Sequence, residues 1–322
     1  MKIACFQIEP WQESILNEKL MGHELIIFQE PLSQKNMHEA KEAEILTIRA
    51  RGQNLHLKKE ILSQFPNLKF IATRSTGFDH IDIETCKERK ILVSNVPSYG
   101  EDSVAEHTFA LLLSISRRIP YIINREKNLH MQNIQSLNLS GKTLGVIGSG
   151  KIGLKVISLA RAFGMNVLAY DIFENQEASK RLNFKYVSLE ELLKTSDVIT
   201  LHTPLTSQTH HIINEKSLLL MKGGAVLINT ARGGLVDTKV LLEGLDKGII
   251  SFAGLDVIEE EKENLSFKEQ PSEVQKIMSH PKIIATSHEA GNSKEARQLA
   301  INLTIENILS FIKGYPKNLV YG

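Results

Sequence analysis

Thr143-Leu144-Gly145-Val146-Ile147-Gly148-Ser149-Gly150-Lys151-Ile152-Gly153 runs from an apolar stretch through a glycine turn into an amphipathic segment. Eighteen residues past Gly153, Asp171 closes a second apolar run, Met165-Asn166-Val167-Leu168-Ala169-Tyr170. Strand, glycine turn, helix, strand and terminal acid together make a dinucleotide-binding fingerprint. Gly148 permits the tight turn, Gly150 lets backbone approach a pyrophosphate, and Gly153 lets the helix pack closely on the strand. The helix opens at Lys151 and Ile152, whose amides and dipole favour an anion. Asp171 can accept hydrogen bonds from an adenosine ribose but would repel a 2′-phosphate. Ile172-Phe173-Glu174 brings no arginine to reverse that preference, so the expected cofactor is NAD.

The fingerprint lies in the middle of a 322-residue chain, with a domain's length ahead of it. Two domains are therefore expected rather than one core. Hydrophobic residues at 42% and charged residues at 23% suit a globular chain that can bury such cores. Lys and Arg total 38 against 37 Asp and Glu, so no bulk field draws in nucleic acid or an anionic membrane. A substrate anion would have to be caught by a few placed cations. No segment approaches the ~18 uninterrupted apolar residues of a membrane span. The N-terminal apolar stretch is too short for a signal peptide, and Cys5 and Cys86 make no disulfide framework. A cytoplasmic protein is the expectation.

Short β-branched runs recur before the fingerprint, at residues 3–8, 25–28, 45–48, 68–72 and 91–93. A second series follows at 144–147, 167–170, 198–201, 225–228, 252–255 and 283–285. Their lack of strict alternation suits strands buried on both faces, so the fold class is α/β with two doubly wound parallel sheets. One helix is expected from Ser103, where Ser103-Val104-Ala105-Glu106 spells a capping box, to Arg118. Another covers 294–312, with Ala296, Leu299, Leu303 and Ile308 apolar. If that helix folds back onto the N-terminal domain, the second sheet is an insertion. The expected boundaries are 1–101 with 291–322 for a flavodoxin-like substrate domain, and 102–290 for a Rossmann NAD domain.

Three later strand ends carry polar groups: Arg232 in Asn229-Thr230-Ala231-Arg232-Gly233, Asp256 ahead of Glu259-Glu260-Glu261, and His288 after Ile283-Ile284-Ala285-Thr286-Ser287. Ligands of open parallel sheets bind outside such carboxyl ends. Hydride transfer to a 2-oxo acid needs a bidentate cation for the carboxylate, which is arginine. It needs a proton donor working near neutral pH, which suits histidine, and a carboxylate that fixes that imidazole. Arg232, His288 and Glu261 fill these roles.

The chain resembles the D-isomer-specific 2-hydroxyacid dehydrogenases along essentially its whole length. The resemblance rests on residues 74–82 (RSTGFDHID), 95–99 (NVPSY), 104–108 (VAEHT), the glycine turn, 201–206 (LHTPLT), 229–233 (NTARG) and 255–257 (LDV). It implies Arg232 as substrate clamp, His288 as acid/base and Glu261, five residues past Asp256, as the paired acid. It further implies that Thr203, Pro204, Thr209, Thr230, Ala231 and Asp256 line the nicotinamide and ribose. Backbone amides at Ser75, Thr76 and Gly77 would meet the substrate carboxylate. Departures are Ser287 before the histidine, Glu289 after it, and Lys262 where relatives carry proline. A homodimer is implied too.

Tyr99 resembles the D-lactate dehydrogenase branch, whereas Arg49 and Arg51 resemble phosphoglycerate dehydrogenases. Pyruvate/D-lactate is the expected pair, with phosphoglycerate, hydroxypyruvate or glyoxylate chemistry as the alternative. The related corepressors keep the same triad, so an NAD(H)-sensing binding protein stays open. Formate dehydrogenases pair the histidine with glutamine, against which Glu261 argues. No HxxxH or Cys/His grouping points to a metal. His202, His210 and His211 show no carboxylate at ligand spacing, Glu259 and Glu260 read as a solvated loop, and His107 is expected to pack on its helix.

Overall fold

The computed structural model describes residues 1–49, 56–123, 136–262 and 265–321; Arg51 lies outside them. The chain divides into two compact units, Met1–Gly100 with Ser293–Gly322, and Glu101–Asn292.

The first unit holds β1 (Lys2–Cys5), β2 (Glu24–Ile27), β3 (Ile45–Ile48), β4 (Phe70–Thr73) and β5 (Leu92–Ser94), with helices α1 (Pro10–Lys19), α2 (Lys59–Leu62) and α3 (Ile83–Glu88). The strands pair in parallel in the order β2-β1-β3-β4-β5, the flavodoxin-like arrangement. Every residue of β3 and β4 is buried, as a sheet covered on both faces requires. The C-terminal helix Lys294–Ile312 belongs to this unit, and its Ile301, Ile305 and Ile308 pack with Ile3, Cys5, Phe70 and Ala72. Ser293 caps it by accepting from the Ala296 amide at 3.1 Å. Its buried face is rotated from the expected one, because Leu299 is 45% exposed while Thr304 and Asn307 are buried. The Asn307 amide explains the polar burial, donating to the Asn95 carbonyl at 2.9 Å.

The second unit opens with α4 (Glu101–Ser116) and α5 (Ile119–Ile123). Ser103 therefore sits inside the first turn rather than capping it; Glu101 and Asp102 supply the negative charge favoured at a helix start. Then come β6 (Thr143–Ile147), α6 (Lys151–Ala162), β7 (Asn166–Tyr170), α7 (Gln176–Leu182), β8 (Lys185–Tyr186), α8 (Leu189–Thr195) and β9 (Val198–Leu201). The unit continues with α9 (Glu215–Leu220), β10 (Ala225–Asn229), α10 (Thr238–Asp246), β11 (Ile250–Leu255), α11 (Ser272–Ser279) and β12 (Ile283–Ala285). All seven strands are parallel in the order β12-β11-β10-β9-β6-β7-β8. The order reverses between β6 and β9, which makes their carboxyl ends the switch point where such sheets bind ligands. β8 is two residues long, too short for a periodic signal in the sequence. Gly254 lets α4 lie close on β11, since a Cβ there would stand 3.1 Å from Leu111 Cβ and 3.3 Å from Ile115 Cδ1.

Candidate active site

The glycine turn begins where β6 ends, beside the end of β9. Gly148 has φ +95°, and a Cβ on it would lie 2.6 Å from the His202 carbonyl carbon. A Cβ on Gly153 would lie 2.0 Å from the Gly148 carbonyl oxygen, so α6 presses directly on the turn. Gly150 differs, because no heavy atom lies within 4 Å of a Cβ built there. It is also the N-cap of the twelve-residue α6, with no side-chain cap. An open cradle against uncapped helix amides fits the pyrophosphate of a dinucleotide.

Asp171 braces this cradle. Its Oδ2 accepts from the Ser149 amide at 2.6 Å and the Ser149 hydroxyl at 3.0 Å, while Oδ1 accepts from the Phe173 amide at 3.0 Å. Two acceptor oxygens still leave capacity for a ribose hydroxyl. Lys151 is exposed and 4.0 Å from Glu101, whereas Ile152 packs on the core and offers only its backbone. Thr203 and Pro204 follow β9, and the Thr209 hydroxyl closes their loop by donating to the Pro204 carbonyl at 2.6 Å.

The arginine loop is shaped by Asn229. Its side chain accepts from the Ala231 amide at 3.0 Å and donates to the Arg232 carbonyl at 2.8 Å. The Arg232 guanidinium donates back to the Ala231 carbonyl at 2.8 Å. Next in line, Gly233 packs backbone on backbone, its would-be Cβ 2.4 Å from the Ile258 carbonyl carbon and 2.5 Å from the Glu259 nitrogen. The loops carrying Arg232 and Glu261 are therefore in van der Waals contact. Thr230 is buried, and its hydroxyl meets that of Thr108 on α4 at 2.9 Å.

The histidine turn hangs from Asp256. This carboxylate has no exposed surface and anchors the turn around His288. Its Oδ1 accepts from the Thr286 hydroxyl at 2.5 Å and the Glu289 amide at 2.7 Å, and its Oδ2 from the Ala290 amide at 2.8 Å. Its backbone carbonyl takes the His288 amide at 2.9 Å. His288 sits at φ +54°, in the left-handed region, held there from both sides in sequence.

Two sequence readings change here. His210 and His211 do acquire a carboxylate: His211 Nε2 lies 2.8 and 3.0 Å from the oxygens of Glu259, and His210 Nε2 lies 3.5 Å from Oε1. Glu259 is thus no solvated loop acid. The two imidazoles stack at 3.9 Å with 27° between planes, and one nitrogen of each lies within 4.8 Å of the other and of a Glu259 oxygen, a spacing that a metal ion could share. Without an ion the group is a hydrogen-bonded brace between two loops, to which the His211 amide adds a bond to the Gly234 carbonyl at 2.9 Å. His107, assigned a packing role from sequence, instead reaches polar groups at the histidine turn. Its Nε2 is 3.0 Å from Thr286 Oγ1 and 3.3 Å from Asp256 Oδ1. Its i, i+4 setting on α4 gives no hint of partners so distant in sequence.

In the first unit, Ser75, Thr76 and Gly77 form a turn after β4, tied from within. The Ser75 hydroxyl gives its one proton to the Gly77 carbonyl at 2.7 Å, so it accepts from Thr73 at 2.8 Å. Thr73 in turn lies 3.1 Å from His80 Nε2, and the Thr76 hydroxyl donates to the Val96 carbonyl at 2.8 Å. Arg74 is buried and donates to the Phe6 carbonyl at 2.6 Å, the Gln7 carbonyl at 3.0 Å and Thr47 Oγ1 at 3.2 Å. Burial draws its pKa down to about 10, which keeps it charged at neutral pH. Arg49, Arg74, Arg297, Gln7, Gln12 and Tyr99 line a small pocket of this unit. Arg297 is engaged there by Glu9 and the face of Trp11.

A 3-2-1-4-5-6-7 parallel sheet with an open glycine cradle at its switch point defines a dinucleotide-dependent dehydrogenase fold. Residues 109–290 match the D-isomer specific 2-hydroxyacid dehydrogenase, NAD binding domain, and the chain belongs to that family. It is an NAD-dependent dehydrogenase acting on the CH–OH group of its donors. It is 40% identical over 272 residues to a glyoxylate reductase of Thermococcus litoralis, covering 81% of this chain and 80% of the relative. It is 36% identical over 331 residues to an aromatic 2-oxoacid reductase of Clostridium sporogenes, covering 99% and 98%. Among solved structures, a D-lactate dehydrogenase of Aquifex aeolicus complexed with NAD and lactic acid superposes with a TM-score of 0.87, at 36% identity over 99% of each chain.

Proposed function

We propose that this enzyme reduces a small 2-oxo acid, pyruvate foremost, to its D-2-hydroxy acid. The observation that carries the proposal is the convergence of one arginine loop, one glutamate loop and one histidine turn at adjacent strand ends of the second unit. NADH supplies the hydride when bound at the glycine cradle. Arg232 holds the substrate carboxylate through a bidentate pair, which fixes the carbonyl for attack. His288 delivers a proton to the carbonyl oxygen as the carbonyl carbon gains the hydride, so a hydroxyl forms and the imidazole is left neutral. Glu261 orients that imidazole by accepting from its other ring N–H. Amides of Ser75, Thr76 and Gly77 receive the carboxylate, and Tyr99 borders the substrate. In the same reading Thr203, Pro204, Thr230 and Ala231 border the cofactor, and the enzyme is a homodimer. Ile122 and Ile123 on α5, 63% and 74% exposed, are apolar surface that a second copy would cover.

The relatives range from glyoxylate to aromatic 2-oxo acids, so family membership defines the reaction and leaves the side chain of the substrate open. One observation favours a second reading. The arginine-lined pocket with Arg49 suits a doubly anionic acid such as a 3-phospho-2-oxo acid. NADH oxidation against pyruvate, glyoxylate, hydroxypyruvate, 2-oxobutyrate, 2-oxoisocaproate, phenylpyruvate and phosphohydroxypyruvate separates the two. Pyruvate should give the highest kcat/KM. A maximum on phosphohydroxypyruvate, lost in Arg49→Ala, replaces the first reading with the second.

A further inference from the structure

The histidine turn is in contact with a side chain from α4. Asp256 Oδ1 and Oδ2 accept from Thr286, Glu289 and Ala290, which bracket His288 on both sides. A carboxylate is acceptor-only, so the Thr286 hydroxyl spends its proton on Asp256. The 3.0 Å contact between Thr286 Oγ1 and His107 Nε2 therefore needs its proton from the imidazole. His107 must carry hydrogen on Nε2, aimed at Thr286 and also 3.3 Å from Asp256 Oδ1. The next residue on α4 makes a parallel link. Thr108 donates to the Val104 carbonyl at 2.8 Å, so at 2.9 Å it accepts from Thr230, on the loop that carries Arg232. Consecutive residues of one helix thus touch both the histidine turn and the arginine loop. The near approach of α4 to β11 over Gly254 makes this reach possible.

We propose that His107 is a positioning residue for reduction. Its Nε2 proton locks the Thr286–Asp256 hydrogen bond, which holds His288 in its left-handed turn. The proposal rests on His288 being the proton donor. His107 itself touches neither substrate nor cofactor in this scheme. Displacing a reacting group by about 1 Å can cost on the order of a hundredfold in rate, so losing one strut should cost about ten- to a hundredfold in kcat.

The test uses His107→Phe, His107→Asn and His107→Gln in the full-length enzyme, with kcat and KM for pyruvate and NADH, and Tm. Glutamine can place an amide N–H where Nε2 stands, whereas asparagine falls short. We expect Phe and Asn to lower kcat by about tenfold or more with KM for NADH within about threefold, and Gln to recover most of the loss. Phe and Asn variants that keep kcat within about twofold would overturn the proposal. So would a folded Gln variant as slow as the Asn variant. If Phe does not fold, the Asn-against-Gln contrast decides alone. His288→Asn separates the premise from the inference. Full turnover in that variant removes His288 as donor, while its loss beside unaffected His107 variants removes only the positioning role.

Discussion

Alanine at Gly150 and at Gly153 should have opposite consequences, although the two residues share one turn. At Gly153 a Cβ would stand 2.0 Å from the Gly148 carbonyl oxygen. That is more than 1 Å inside ordinary contact, and the obstacle is backbone, so α6 or the turn must shift. Overpacking of this kind costs about 3 kcal/mol or more. In a unit of this size each kcal/mol moves Tm by roughly 2–4 °C, so Gly153→Ala should lose roughly 6–12 °C. At Gly150 φ is −66° and nothing lies within 4 Å of the added carbon. Alanine fits the apo fold there, with an expected Tm change of at most about 3 °C, or about 1 kcal/mol. Its methyl group, however, occupies the cradle assigned to the pyrophosphate, so NADH affinity should drop at least about tenfold. Thermal unfolding without cofactor and NADH fluorescence titration measure the two effects separately. A Gly150→Ala protein that binds NADH like the parent would refute the cradle. A Gly153→Ala protein with unchanged Tm would refute the packing argument.

Other consequences concern protons and loops. His202 Nε2 is 2.9 Å from Thr200 Oγ1, and its Nδ1 is buried with no hydrogen-bond partner among the described residues. Burial pulls its pKa from 6.5 to about 3. Between those values only the unfolded chain takes up the proton, so stability falls as pH drops below 6.5, by up to about 1.4 kcal/mol per unit. Tm profiles of His202→Gln and the parent should converge towards acid pH; parallel profiles would remove His202 as the cause. Arg232→Lys should raise KM for the oxo acid and lower kcat, since a point charge cannot replace the planar fork; unchanged kinetics would take Arg232 out of the site. Glu261→Gln should cut kcat at least about tenfold through loss of the imidazole's orientation, whereas Glu259→Gln should lower Tm with kcat within about threefold. The reverse pattern would exchange the two glutamates' roles.

Much of this molecule is legible in its sequence. Parallel strands buried on both faces announce themselves as short β-branched runs, and all but the two-residue β8 do so. The glycine turn, the acid eighteen residues on and the polar strand ends are likewise local patterns, read within one βαβ unit at a time. Pairings that close only when the sheet order is complete are not local. Which of three adjacent glutamates meets His211 depends on the contact of two loops across Gly233. That Asp256 is an enclosed anchor, and that His107 reaches it, depends on α4 crossing a strand made of residues far downstream. His107 and Thr286 stand 179 positions apart. Residue types restrict what each group can donate or accept, but folding alone determines the atom it faces.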